Sequence, residues 1–275
     1  MKEIAKIGLA GLGALGAWCL LLKPRRKQPG WEALEGVRYA HRGLHDRAQG
    51  IPENSMAAFR RAVEHGFGAE LDVHLMADGN LAVVHDSSLK RVCGKDVLIE
   101  DLTAEDLKDY PLMETEERIP LFQDVLALFE GKTPLVIELK VERGNANALT
   151  DAVMAALEGW GGTYCVESFH PAVLLRLKER YPKVLRGQLS QNFLRDSEVG
   201  GLSLPVRFMQ TNLLTTAATQ PDFIAYKWQD RGNVSLRLMK ALYGVHEVNW
   251  TVRDRGTMEA LDRAGATSIF EGFVP

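Results

Sequence analysis

Residues 69–86 read AELDVHLMADGNLAVVHD. Two apolar runs flank Asp78-Gly79, and Asp-Gly between alternating runs is a strong hairpin signal, because a tight turn needs residues that accept positive φ. With a two-residue turn, Ala77 pairs with Asn80, and counting back sets Asp72 opposite His85. Side chains alternate along a strand, so Glu70, Asp72 and His74 share one face, and His85 joins them across the pair. Two carboxylates and an imidazole on an otherwise apolar strand are costly to bury unless they bind a metal or one another. The stretch predicts a strand pair with a polar site upon it.

Outward from this hairpin, short apolar runs alternate with amphipathic stretches, the pattern of a β/α architecture. Strands are expected at 37–40, 69–75, 81–85, 134–140, 163–168, 184–189, 223–228, 247–252 and 267–270. Helices are expected between them, among them 54–66, capped by Asn54 and ended by Gly66. The fold class is α/β, a TIM-type (β/α)8 barrel with a small insertion. A chain of 275 residues accommodates a barrel of about 250. Nine strand candidates are one too many for it, and 89–120, rich in acidic residues and lysine, reads as an excursion above the barrel mouth. Net charge of −3 gives no basic excess for nucleic acid. Cys19, Cys93 and Cys165 have no zinc spacing.

The N-terminus is different material. Ile7 to Leu22 is a run of 16 residues without a charge, with Lys2 and Lys6 before it and Lys23, Arg25, Arg26 and Lys27 after it. The run falls just short of the roughly 20 residues that usually span hydrocarbon, a deficit that tilt and snorkelling lysines can offset. A cleaved signal peptide is the main competitor, but the segment lacks small residues at a cleavage site. The expected organisation is therefore a membrane-anchor segment at 1–27, a linker at 28–36 and a barrel domain at 37–275. The denser basic cluster after the run places the catalytic domain on the cytoplasmic side.

Three more groups carry chemistry. His41-Arg42-Gly43 ends the first strand, Pro52-Glu53-Asn54 precedes the first helix, and in VIELK (136–140) Glu138 and Lys140 share one face while Ile137 and Leu139 take the other. Barrel enzymes keep their chemistry at the C-terminal ends of the strands. Glu70, Asp72 and Glu138 offer hard oxygen ligands suited to a divalent cation such as Mg²⁺ or Ca²⁺ rather than zinc. An imidazole ordinarily titrates near neutrality, which makes His41 and His85 the candidates for an acid and a base. Arg42 and Lys140 supply positive charge for a phosphate.

The order HRG, PEN, ELDVHLMADG, VVHD, IELK and NWTV, spanning 37–275, resembles the glycerophosphodiester phosphodiesterase family. The resemblance implies a TIM-type barrel, a divalent cation, and hydrolysis of glycerophosphodiesters to glycerol 3-phosphate and an alcohol. By matching motif it implies His41 and His85 as acid/base residues, Arg42 and Lys140 as phosphate contacts, Glu70, Asp72 and Glu138 as metal ligands, and Trp250 packing on glycerol carbons. Met76-Ala77-Asp78-Gly79 lacks the family's threonine, and Phe270-Glu271 replaces its closing Thr-Asp; neither change is expected to touch the main set. His45, His74, Glu53, Glu167 and His170 are candidates for supporting roles. A membrane-held lysophospholipase D acting on lysophospholipids and a non-catalytic phosphate-binding barrel are the alternatives.

Overall fold

The computed structural model describes residues 13, 15–25, 30–196 and 201–275. Its chain alternates strands and helices: β1 (Tyr39–His41), α1 (Met56–Glu64), β2 (Gly68–Leu75), β3 (Leu81–Val83), α2 (Lys90–Cys93), α3 (Phe122–Phe129), β4 (Leu135–Leu139), α4 (Ala146–Ala156), β5 (Tyr164–Ser168), α5 (Pro171–Arg180) and β6 (Arg186–Ser190). There follow α6 (Leu204–Thr211), α7 (Thr216–Thr219), β7 (Phe223–Lys227), α8 (Val234–Tyr243), β8 (His246–Val252), α9 (Arg255–Arg263) and β9 (Thr267–Phe270). Eight strands run parallel in the order β1-β9-β8-β7-β6-β5-β4-β2, and β1 pairs with β2 to close the barrel. The ninth, β3, is antiparallel to β2 and lies outside the closed ring.

Two apolar layers follow from strand alternation. On β4, Leu135, Ile137 and Leu139 pack outward among the helices with Leu71 and Val73 of β2. Val136 points into the barrel with Cys165, Leu189 and Val248. Residues of β2 and β4 with the opposite parity, Glu70, Asp72 and Glu138, therefore face inward, and their level is set by pairing Asp72 with Glu138.

The hairpin register differs from expectation by one residue. Val73 pairs with Val83 and Leu75 with Leu81, so the loop is Ala77-Asp78-Gly79, three residues closed by the amide of Met76 on Asn80. Gly79 takes φ 84°. That conformation is open to glycine and completes a three-residue hairpin loop. Asp72 consequently bonds Val84, not His85, and His85 follows the end of β3. The excursion at 89–120 builds a small core of its own, in which Leu89, Val92, Ile99, Leu107 and Leu112 pack on Met76, Ala82 and Val84.

Residues 30–36 do not behave as a linker. Trp31 and Leu34 are buried in the floor of the barrel, Trp31 lying against Phe223 at 5.3 Å and stacked on His246 at 4.4 Å. An indole has too much apolar surface to leave in water when a barrel end needs closing. The greater part of the expected anchor, residues 1–12, 14 and 26–27, lies outside the described residues. None of the described helices is long and apolar enough to cross a membrane.

Candidate active site

The site begins with a backbone turn. After β1, Arg42 and Gly43 take φ 55° and 77°. A Cβ on Gly43 would stand 2.9 Å from Ala58, so the turn packs flush against α1 only with glycine there. The amide of Arg42 donates to Glu70 at 3.1 Å, and its carbonyl accepts from Asn54. Asn54 was expected to cap the first helix. Ser55 does so instead, accepting from the amide of Ala58, while the Asn54 amide group donates to Asp72 at 2.9 Å. The PEN stretch thus serves the site, through Glu53 and Asn54, and leaves the helix cap to Ser55.

Oxygens of Glu70, Asp72 and Glu138 lie within 4.8 Å of one another, and all three residues are buried. Lys140 sits 2.9 Å from Asp72 and 2.8 Å from Glu138, and the Arg42 guanidinium 3.4 Å from Asp72. Three carboxylates thus face two fixed cations. Burial, with Asp72 and Glu138 alongside, raises the Glu70 carboxyl well above its ordinary value. Burial would raise Asp72 too, but Lys140, His85 and Arg42 hold it well below. Glu138 is raised because its burial outweighs Lys140. A buried carboxyl that lacks a full countercharge is the position a cation would relieve. Opposed oxygens around Mg²⁺ or Ca²⁺ stand about 4–5 Å apart, so the all-oxygen set can hold such an ion.

Both histidines are held by carboxylates. His41 Nδ1 is 2.5 Å from Glu271, and His85 Nδ1 is 2.6 Å from Asp86. An ionised carboxylate only accepts, so each Nδ1 carries the proton and each Nε2 is left for chemistry. His41 Nε2 lies 3.8 Å from Glu70. Burial pushes His41 down to about 4, against the opposing pull of Glu271. The Glu271 carboxyl falls to about 2, burial being outweighed by its bond to His41. Asp86 is likewise lowered, chiefly by His85 and also by Arg91.

One guanidinium joins the two halves. Arg91 of α2 donates to Asp86 at 2.5 Å and, by both terminal nitrogens, to Glu53 at 2.8 and 2.9 Å. Glu53 in turn accepts from Arg42 at 2.7 Å. The excursion therefore fixes the carboxylates that orient His85 and Arg42.

His41, Arg42, His85, Glu70, Glu138 and Lys140 line a cleft of about 380 Å³ at the C-terminal ends of the strands. Its apolar wall is Phe169, Leu189, Trp250 and Ile269, and its outer rim carries Gln191, Lys227, Gln229 and Arg253. Trp250 is held by its indole N–H on Ala225 and by an edge-to-face contact with Phe169 at 5.6 Å. A larger cavity of about 650 Å³ lies at the opposite end, among Trp31, Arg38, His246 and Asp262. None of the groups just described reaches it.

A sequence profile of the glycerophosphoryl diester phosphodiesterase family matches residues 41–274. The chain belongs to that family. As a member of the glycerophosphoryl diester phosphodiesterases it is a phosphoric diester hydrolase, and its reaction is the hydrolysis of glycerophosphodiesters. It is 28% identical over 193 residues to a glycerophosphodiester phosphodiesterase of Bacillus altitudinis, covering 66% of this chain and 78% of that one. It is 41% identical over 109 residues to another of Caldanaerobacter subterraneus, covering 37% and 44%. Among solved structures it resembles an Oleispira antarctica phosphodiesterase in complex with the product sn-glycerol-3-phosphate, with a TM-score of 0.70, 21% identity and coverage of 87% and 94%.

All eight residues selected from the sequence of this glycerophosphoryl diester phosphodiesterase converge at one end of the barrel. Asp72 lies beneath the cleft; the other seven line it. The supporting candidates divide. Glu53 binds Arg42 and Arg91, and Glu167, beside Glu138 in register, lines the cleft with its carboxyl raised well above normal by burial. His74 points away to Glu100 at 2.6 Å, His170 caps α5, and His45 lines a separate hollow beside Asp46. Glu271, expected to stand apart, touches His41. Arg91 escaped notice because nothing local marks a charged residue whose partner Glu53 lies 38 positions away, and Asp86, next to His85, takes on its role only once Arg91 is seen to hold it.

Proposed function

We propose that hydrolysis here depends on a divalent cation, Mg²⁺ or Ca²⁺, held by Glu70, Asp72 and Glu138, with His41 and His85 moving the protons. The cation would supply positive charge for the phosphate oxygens as negative charge builds on them. Arg42 and Lys140 hold the phosphate, the first as a fork and the second as a point charge. One histidine takes a proton from the attacking oxygen as the new P–O bond forms, that oxygen belonging to water or to the substrate's own glycerol hydroxyl, and in the latter case water opens the resulting cyclic phosphate in a second step. The other gives a proton to the departing alcohol oxygen as the old bond breaks, so the products leave neutral at that oxygen. The face of Trp250 packs on the glycerol carbons.

The observation that carries this reading is the paired arrangement of the histidines: each is oriented through Nδ1 by its own carboxylate, with a metal-suited acidic cluster between. A purely phosphate-binding barrel has no use for two such imidazoles. A release assay with the full chain tests the substrate class. Glycerophosphocholine should yield glycerol 3-phosphate and choline at a kcat/KM well above that for lysophosphatidylcholine. Preference for the lysophospholipid would transfer the assignment to a lysophospholipase D.

A further inference from the structure

Eleven large apolar side chains are exposed among the described residues, and all but Val274 belong to residues 15–21, the β6–α6 connection with α6, or α8. Leu20, Leu204 and Val234 are 68%, 69% and 66% exposed. The three segments are neighbours. Trp18 packs edge-on against Phe208 of α6 at 6.0 Å and donates its indole N–H to Ser235 of α8 at 3.1 Å. The Cys19 carbonyl accepts from Tyr243 at the end of α8. On α8, Val234, Leu238 and Ala241 line a groove of about 390 Å³. Single exposed apolar residues are ordinary, but a contiguous patch of this extent marks a surface that meets something.

We propose that this face rests on one leaflet of a lipid bilayer, with the mouth of the cleft at its edge. The occupant follows from the chain that enters the patch. Ile7 to Leu22 is uncharged and is bracketed by lysines and arginines, the pattern of a segment held at an anionic interface. Yet its last turn is committed to the barrel: Leu22 is fully buried with Leu213, Ile224 and Met239, and the Leu21 carbonyl accepts from Thr216. That leaves Ile7 to Ala17, and eleven residues reach only about 16 Å as a helix, about half the hydrocarbon thickness. A run that short does not reach across the hydrocarbon once its last turn is docked. Its described part, with Leu15, Leu20 and Leu21 exposed, adjoins α6 and α8, whose apolar side chains extend the same surface, and Arg237 on the groove adds a basic contact. Arg207 of α6 donates to the carbonyls of Phe193 and Asp196, and Phe193 packs on Phe169 of the cleft wall. The lipid-facing helix is thus tied to the rim of the cleft.

The test is co-sedimentation of the full chain with vesicles of phosphatidylcholine, alone and mixed with phosphatidylglycerol, run with Leu204→Glu/Val234→Glu beside the parent. The parent should pellet with both, more strongly with the anionic mixture. The double variant should lose at least about tenfold in partitioning, since each substitution removes the burial of a Leu- or Val-sized side chain. It should hydrolyse a water-soluble glycerophosphodiester within about twofold of the parent, which also shows that it folds. Equal partitioning of variant and parent, or a parent that stays in the supernatant, would overturn the proposal. So would a parent that is dimeric in solution and made monomeric by the same substitutions, because a second copy would then own the face.

Discussion

The two ends of the barrel make opposite use of polar groups. The larger cavity is at the N-terminal end, about 650 Å³ against about 380 Å³. Its buried charge is compensated: Glu247 is held by Arg231 and Lys240, and at the surface Arg38 pairs with Asp262 at 3.2 Å. Trp31 and Leu34 fill the barrel above it. At the C-terminal end four buried acidic side chains, Glu70, Asp72, Glu138 and Glu167, face Lys140 and Arg42, and the surplus shows in the raised carboxyls of Glu70 and Glu167. Charge left uncompensated inside a fold costs stability, so a fold keeps it only where a ligand or a reaction completes it. The proposed chemistry belongs to the smaller space. Volume alone would have chosen the other end.

Substitutions at the two ends should separate sharply. The largest effect is expected at the histidines: His41→Ala and His85→Ala should each lower kcat about 10²–10⁴-fold, with far less change in KM. A diester with a nitrophenyl leaving group needs little proton donation, so it should rescue one of the two variants and not the other. Near-parental kcat for both on a natural diester would remove acid/base catalysis from this end. Next comes Arg91→Ala, which leaves every group in the cleft in place but frees Asp86 and Glu53. Loss of such supporting contacts typically costs about 10–100-fold. Arg91→Lys should recover little, because an ammonium cannot fork to two carboxylates; full recovery would mean that only its charge matters.

At the opposite end, Trp31→Ala should cost about 3–5 kcal/mol of stability by leaving a cavity under the barrel. Measured well below its lowered melting temperature, kcat should be unchanged. A catalytic defect without a stability defect would mean that this end takes part in the reaction. The smallest effect concerns Glu271, whose carboxyl falls from the usual 4.5 to about 2 in the folded chain. A depressed carboxyl stabilises the fold above its unfolded value, and that contribution is lost as pH falls from about 4.5 toward 2. Glu271→Gln should flatten the fall of melting temperature across that window. An unchanged slope would count against the His41–Glu271 bond.

Much of this contrast was legible in the sequence. Period-two alternation put Glu70, Asp72 and Glu138 on inward faces, and all nine strands fell near their expected positions, because parallel barrel strands are apolar runs with little ambiguity. The hairpin register was missed by one residue, since Asp-Gly serves two-residue and three-residue loops alike, and Gly79 at positive φ fits both. The anchoring of Trp31 was missed because a Gln-Pro-Gly stretch reads as linker until the open barrel floor is seen. Glu271 and Arg91 were invisible for a different reason. Each acts through a partner far along the chain, and only closure of the ring brings β9 beside β1 and the excursion over Glu53.

The central claim is that the acidic cluster at the C-terminal end works with a divalent cation. Its most direct measurement is glycerol 3-phosphate release from glycerophosphocholine by the full chain, before and after exhaustive chelation, with the metal content of the same sample determined. Activity should disappear on chelation and return with Mg²⁺ or Ca²⁺, and Asp72→Asn should neither retain metal nor be restored by it. Full turnover by a sample shown to be free of metal would contradict the account.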